Sequence, residues 1–204
     1  IFIICVNPFD PCHPCAIFVK QIQCIANFAK NFANFAVKYH KLNKKIAITA
    51  LSSFSPLGNQ PELIWEEYLK QTSLISEKQI GNQTIPVATI SEELKKQVEE
   101  LKQSDNKYKS LDNSVLYAIL ASREAVTNAG WTSNDIFGIN IGSSRGATDL
   151  FEKHHQEFIE TGKTGTLASP TTTLGNISSW IAHDLKSSGP EISHSITCST
   201  ALHA

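Results

Sequence analysis

The chain of 204 residues contains no methionine. A chain without even an initiator is expected to be a fragment, or a reading frame opened upstream of its true start. A surplus of charge is missing too: eighteen lysines and arginines face nineteen acidic residues, a formal net charge of −1. With no basic block anywhere, nothing supplies the phosphate neutralisation that nucleic-acid binding needs, and that class is set aside. Long apolar runs are also absent. The opening Ile1-Phe2-Ile3-Ile4-Cys5 falls far short of the roughly 18 residues of a spanning helix, and no basic start with a small-residue cleavage site marks a signal peptide. No internal repeat or low-complexity tract is present.

Cysteine is scarce and unevenly placed, at Cys5, Cys12, Cys15, Cys24 and Cys198. An odd count with four crowded at the start is no secreted disulfide framework, and it points to a reducing, cytoplasmic compartment. Cys12 and Cys15 have C-x2-C spacing, with His13, Cys24 and His40 nearby. A second metal-binding pair is missing, so no metal site is expected. Residues 1–43 differ in character from the rest, with Ile25, Phe28, Phe32, Phe35 and Tyr39 on one helical face. They read as a leader, either native or a non-native upstream extension, and residues 44–204 as the working domain.

That domain alternates strand and helix patterns and is read as α/β. Residues 46–49 form a short buried strand. The run Ser52-Ser53-Phe54-Ser55-Pro56-Leu57-Gly58-Asn59 turns the chain, and Pro61 opens a helix through Leu69. Residues 70–90 are polar and loop-like, and 91–102 helical. Apolar spacing and Gly130 predict a helix over 113–129. A strand at 136–141 leads through Gly142-Ser143-Ser144-Arg145-Gly146 into a helix toward Phe158. A further helix spans 171–185, and a strand at 192–196 runs into Thr197-Cys198-Ser199-Thr200-Ala201-Leu202-His203-Ala204.

Two strand–turn–helix sites can expose a nucleophile. Gly142-x-Ser144-x-Gly146 satisfies the G-x-S-x-G elbow of hydrolases, with Asp184 and His194 or His203 in triad order. Against it, glycines also let a strand turn closely into a helix, and only about 60 residues follow. The second is Cys198. Its thiolate is favoured at a helix N-terminus, small neighbours leave room for a substrate carbonyl, and its own N–H can serve an oxyanion. A buried structural cysteine is the alternative reading.

Residues 44–204 resemble the β-ketoacyl synthase (3-oxoacyl-acyl-carrier-protein synthase) family of the thiolase fold. The likeness is carried in order by Ile46-Ala47-Ile48-Thr49, Ser55-Pro56-Leu57-Gly58-Asn59, Trp65, the Asp112-led helix, the Gly142–Gly146 turn, Ser169-Pro170, Asn176, Gly189-Pro190 and the Cys198 segment. The resemblance implies the N-terminal half only of a thiolase-like layered α/β/α sandwich, truncated just after the nucleophile. It implies decarboxylating condensation of an acyl thioester with a malonyl thioester in fatty acid or polyketide synthesis, with Cys198 the acyl acceptor. Acyl carrier protein or acyl-CoA thioesters would be its partners, in a homodimer or heterodimer, with no cofactor. Two histidines and a lysine of the family lie downstream of position 204, so this chain alone is expected to be inactive. Thr197 replaces the usual alanine. Arg145 stands where an apolar residue often guards the acyl pocket, and it either binds a polar or carboxylated acyl group or points to solvent. The alternatives are a non-catalytic partner subunit of the chain-length-factor kind and a serine hydrolase using Ser144.

Overall fold

The computed structural model describes residues 2–7 and 47–204. Cys12, His13, Cys15, Cys24, His40 and the apolar helical face at 25–39 lie outside the described residues. The chain divides into two compact units, Ile1–Cys5 with Ala50–Ala204, and Val6–Thr49. Every element of the site belongs to the first.

In chain order the elements are β1 (Phe2–Asn7), β2 (Ala47–Ser53), α1 (Pro61–Leu69), β3 (Ser76–Ile80), β4 (Gln83–Val87), α2 (Glu92–Ser104), α3 (Asn113–Asn128), β5 (Ile139–Gly142), α4 (Thr148–Thr161), α5 (Ala168–Thr172), α6 (Asn176–Leu185), β6 (Glu191–His194) and α7 (Thr200–His203). Short 3-10 turns lie at Asn106–Tyr108 and Thr197–Ser199. The strands pair as β1 with β2, β3 with β4 and β5 with β6. The result is the mixed α/β arrangement read from the sequence.

α3 is the centre of the core. Val115, Leu116 and Ile119 are wholly buried, and Ala118, Ala121 and Ala125 keep its remaining surface narrow enough for α2 and α6 to pack closely. Burying side chains such as Leu116 and Ile119 stabilises the fold by about 2 kcal/mol each. Both ends of α3 are closed by local chemistry. At its start, Asp112 Oδ1 accepts from the Ser114 N–H (2.8 Å) and the Ser114 hydroxyl (2.7 Å). At its end, the Gly130 N–H donates to Thr127 O (3.0 Å) and the Trp131 N–H to Val126 O (3.1 Å). This Schellman arrangement needs the left-handed backbone that Gly130 adopts at φ +71°.

Asp112 also reaches a second helix. Its Oδ2 accepts from the Leu150 N–H of α4 (3.1 Å). One buried carboxylate therefore answers two sets of unpaired helical N–H groups, whose dipoles both favour its charge.

β5 and β6 run parallel, with Ile139 opposite Glu191, Asn140 opposite Ile192, Ile141 opposite Ser193 and Gly142 opposite His194. Parallel neighbours need a long crossover, and α4 to α6 supply it. The two-residue period sorts their side chains. Ile139 and Ile141 join the core with Ile177 and Ile181, and Ser193 meets the buried Ser178 of α6 (2.6 Å between hydroxyl oxygens). Gly142 faces the other way, toward α7.

Far from the ends where β5 and β6 finish, Asp184 is buried near the close of α6. It accepts from Arg123 Nε (2.8 Å) and Nη2 (2.7 Å) of α3 and from the Tyr108 hydroxyl. Burial works to raise the Asp184 pKa, but the hydrogen bonds from Arg123 and Tyr108 and the Arg123 charge outweigh it and hold the carboxyl below its ordinary value. Burial, then the bond to Asp184, raises the Tyr108 hydroxyl.

Three sequence readings need correction. Residues 70–90 are not simply loop: they contain the antiparallel β3–β4 hairpin, in which Ile80 pairs with Gln83 across Gly81-Asn82. The buried strand at 46–49 is β2, shifted later and exposed at its start: Ile48 is 58% exposed, and burial comes only at Ser52 and Ser53. The helix expected at 171–185 is broken into α5 and α6, with Thr173 extended between them. Thr171 and Thr172 turn their hydroxyls onto Leu167 O and Ala168 O (2.6 Å each), the local competition that makes such residues poor helix continuers.

Replacing Asp112 with alanine removes two caps at once. A loss of about 2 kcal/mol is expected in urea unfolding, with Asp112→Asn keeping part of it. Asp184, whose carboxyl is depressed in the fold, contributes stability that is full above its unfolded pKa and is lost as pH falls through the folded value. The urea midpoint is therefore expected to drop progressively as pH falls below about 5, and to go on dropping until the folded carboxyl is protonated. Arg123→Ala is expected to flatten that drop and to destabilise at neutral pH by on the order of 2 kcal/mol, because it leaves a buried carboxylate without its cation.

Candidate active site

β5 and β6 end side by side, and each runs into a turn. β5 leads into Ser143-Ser144-Arg145-Gly146, and β6 passes through Ser195 and Ile196 into the Thr197–Ser199 turn and α7. The two turns are tied together. The Ser143 N–H donates to His194 O (3.1 Å), and the Ser195 hydroxyl donates to Ser144 O (3.3 Å). The carboxyl ends of parallel strands are where open α/β sheets place their ligands. Arg145 and Cys198 both lie at this edge, and both are exposed.

Cys198 is a free thiol in the middle of its turn. Its backbone N–H donates to no group among the described residues, so it is available to an incoming oxygen. Around it the backbone is tightly specified. The Ser199 N–H and hydroxyl both donate to Ile196 O (3.1 and 3.0 Å). Thr200 is buried; its Oγ1 accepts from the Ile196 N–H (2.9 Å) and donates to Thr197 O (2.7 Å). Thr197 itself stands at φ +45°. The left-handed region is an outlier for a β-branched residue, costs on the order of 1–3 kcal/mol, and persists only where the surroundings enforce it.

Gly142 explains the hydrolase-like spacing. A Cβ on it would lie 2.9 Å from Thr200 O and 2.9 Å from Ala204 Cβ. The strand end lacks a side chain because α7 lies directly against it. Ser144 is exposed, and Asp184, the acid a hydrolase triad would need, is held by Arg123 and Tyr108. Asp184 also lies at the opposite end of the sheet: the segment just after α6 is fixed to the start of β5 by the Ser187 hydroxyl and the Gly189 N–H, both donating to Phe137 O. The structure does not bring Ser144 and Asp184 together.

Arg145 forms no ion pair among the described residues. Of the histidines, His154 lies against Glu157 (3.4 Å), His155 stacks on Phe151, His183 packs edge-on to Trp180, and His203 is exposed. A surface hollow of about 670 Å³ is lined by Lys153, His154, Glu157 and Leu167 along α4 and reaches neither Cys198 nor Arg145. Among the described residues no group of three or more metal-binding side chains gathers, and no helix is long and apolar enough to cross a membrane. Sequence reasoning took Thr200 only as a small neighbour of Cys198. Its separation from Ile196, one helical turn, was the available signal for a side chain that closes the loop.

A free cysteine lies just beyond the carboxyl end of a parallel strand in a mixed α/β chain, and comparison with known proteins gives the family. The profile described as "Beta-ketoacyl synthase, N-terminal domain" matches residues 43–204. The chain belongs to the β-ketoacyl synthase family. Among curated relatives, 3-oxoacyl-(acyl-carrier-protein) synthase 2 of Staphylococcus aureus (strain COL) is 28% identical over 169 residues, which cover 79% of this chain and 41% of that protein. The protein of the same name from Vibrio cholerae is 27% identical over 168 residues, covering 78% and 40%. The chain thus spans about two fifths of the length of these relatives. Among solved structures, a β-ketoacyl synthase from Burkholderia phymatum STM815 superposes with a TM-score of 0.58 at 14% identity, over 76% of this chain and 40% of that one. The ishigamide ketosynthase/chain length factor gives 0.56 at 17%, over 72% and 38%. Both share the fold.

Gly142→Ala tests the close approach of α7. The short α7 can move more cheaply than the core, so the expected result is faster amide exchange across 197–204. The unfolding free energy should change by no more than about 1 kcal/mol. An unchanged exchange pattern would show that α7 does not rest on Gly142.

Proposed function

We propose that this chain carries the acyl-accepting cysteine of a condensing acyltransferase. The observation that supports the reading is the placement of Cys198: exposed, unpaired and on a strained turn at the carboxyl end of β6, in a chain of the β-ketoacyl synthase family. In the first step Cys198 Sγ, as thiolate, attacks the carbonyl of an acyl thioester of acyl carrier protein or coenzyme A. A new carbon–sulfur bond forms, the old one breaks, and the carrier leaves as its thiol with the proton. In this reading the Cys198 N–H, which has no acceptor among the described residues, donates to the carbonyl oxygen as charge develops on it. In the second step a malonyl thioester loses CO2 and its enolate carbon attacks the acyl group. A carbon–carbon bond forms and the Cys198 thiolate is released, with the acyl chain two carbons longer. Groups that assist decarboxylation would come from the part of the relatives' length that this chain does not span. Residues 44–204 form the working domain in this reading, residues 1–43 a leader, and the full-length protein works as a dimer.

Arg145 bears on substrate choice. Its exposure on the turn bonded to the Cys198 segment supports pairing with a carboxylated or polar acyl group over lining an apolar tunnel, the alternative being a side chain that only points to solvent.

Peptide mass spectrometry after incubation with acyl-CoA and acyl-carrier-protein thioesters tests the reading. An acyl adduct on Cys198 is expected, absent in Cys198→Ala and unchanged in Ser144→Ala. Absence of the adduct both here and in a version extended to the relatives' full length overturns the reading and favours a non-catalytic partner subunit. Arg145→Leu is expected to lower loading of a dicarboxylic acyl thioester roughly tenfold relative to a plain acyl thioester, the scale of one charge-assisted hydrogen bond.

A further inference from the structure

We propose that Thr200 is a positioning residue for the nucleophile: its hydroxyl closes the Ile196–Thr200 loop and holds Cys198 at the angle from which it attacks a thioester carbonyl. The inference rests on Cys198 being the acyl acceptor.

The exposed Cys198 has no burial of its own to fix it. The turn around it is short, and its first residue stands in an unfavourable backbone region, Thr197 at φ +45°. Such a conformation relaxes unless something spans it. The Thr200 side chain does so from both sides, taking the Ile196 N–H at 2.9 Å and giving its proton to Thr197 O at 2.7 Å. Both groups precede Cys198 and Thr200 follows it, so the hydroxyl, as donor and acceptor, closes the loop that carries the nucleophile. Thr200 is only 4% exposed, and its Cγ2 would lie 3.0 Å from a Cβ on Gly142. The methyl is thereby packed against the end of β5 and the hydroxyl is fixed in direction. Valine would fill the same space without either hydrogen bond. Serine would keep both bonds and lose the methyl packing.

Two reactions of the same thiol separate positioning from simple loss of structure. Alkylation of Cys198 by iodoacetamide needs only an accessible thiolate. Acyl transfer from a thioester needs the thiolate and the Cys198 N–H aligned on one carbonyl. In the full chain, with Cys198 peptides followed by mass spectrometry, Thr200→Val is expected to slow acylation at least tenfold. Its alkylation rate should stay within about twofold, and Thr200→Ser should restore acylation to within about threefold. Acylation of Thr200→Val at the unsubstituted rate overturns the positioning role while leaving Cys198 as acceptor. Parallel loss of alkylation and acylation also overturns it, in favour of a role in burial or folding alone. Failure of the unsubstituted chain to acylate at Cys198, in both its present and extended forms, removes the acceptor reading and this inference with it. A measurement on the unsubstituted chain guards against a variant that does not fold: the Ile196 amide is expected to exchange slowly with solvent deuterium, and fast exchange there overturns the proposal.

Discussion

The Asp112 carboxylate touches the starts of two helices, and the rest of the domain is arranged around that contact. With one oxygen on α3 and the other on α4, it fixes the central helix of the core to the first helix of the crossover. α4 leaves directly from the turn that carries Arg145. A change in the direction of α4 would therefore move that turn, and through the Ser143–His194 and Ser195–Ser144 hydrogen bonds the Cys198 segment as well. A buried charge is costly to desolvate, and the N–H groups of two helix ends offset the cost without a counter-ion. The other end of α3 is secured differently, by the Arg123–Asp184 pair and the Tyr108 hydroxyl. α3 is thus pinned near both ends by carboxylates, one on backbone donors and one on a guanidinium.

This division of labour separates the stable part of the molecule from the reactive part. The apolar core gathers α2, α3, α6 and the inner face of β5, and Cys198 is not part of it. Cys198 and Arg145 sit at the carboxyl edge of the strands, on turns that bury little. Polar side chains bonded to backbone do there what apolar packing does in the core. The thiol stays exposed while its backbone stays fixed.

Much of this was legible from residue patterns, for reasons that differ by element. α3 announced itself through its apolar spacing and Gly130, local signals that the fold uses as written, while the capping by Asp112 emerges only in the structure. The succession of short motifs ending at Cys198 carried the family, because ordered spacing over a long stretch is hard to meet by chance. The β3–β4 hairpin was missed: both strands are almost wholly exposed, so no apolar alternation marks them, and only Gly81-Asn82 hinted at the turn. The break between α5 and α6 was missed because hydroxyl-to-carbonyl bonds of Thr171 and Thr172 do not show in a hydrophobic pattern. Gly142 was read correctly as a close turn, but what approaches it lies more than fifty residues ahead, and sequence spacing alone cannot identify such a neighbour. The bonding of Thr200 is likewise a three-dimensional fact about one hydroxyl.

The strained backbone at Thr197 follows from the conflict between exposure and order. If Cys198 is the acyl acceptor we propose, a nucleophile that meets a bulky thioester cannot be held by burying its own side chain, so the neighbouring backbone carries the constraint. A relaxed extended or helical Thr197 would let the turn straighten and change the direction in which Cys198 is presented. Holding the residue at positive φ costs energy locally, and two hydrogen bonds from a buried threonine are of the size needed to offset it. Alanine before the cysteine, usual in the family, is smaller than Thr197 but is strained at positive φ as well. The need for an enforced turn therefore does not depend on the threonine itself. It comes with an exposed sulfur carried on a short turn that follows closely on a strand.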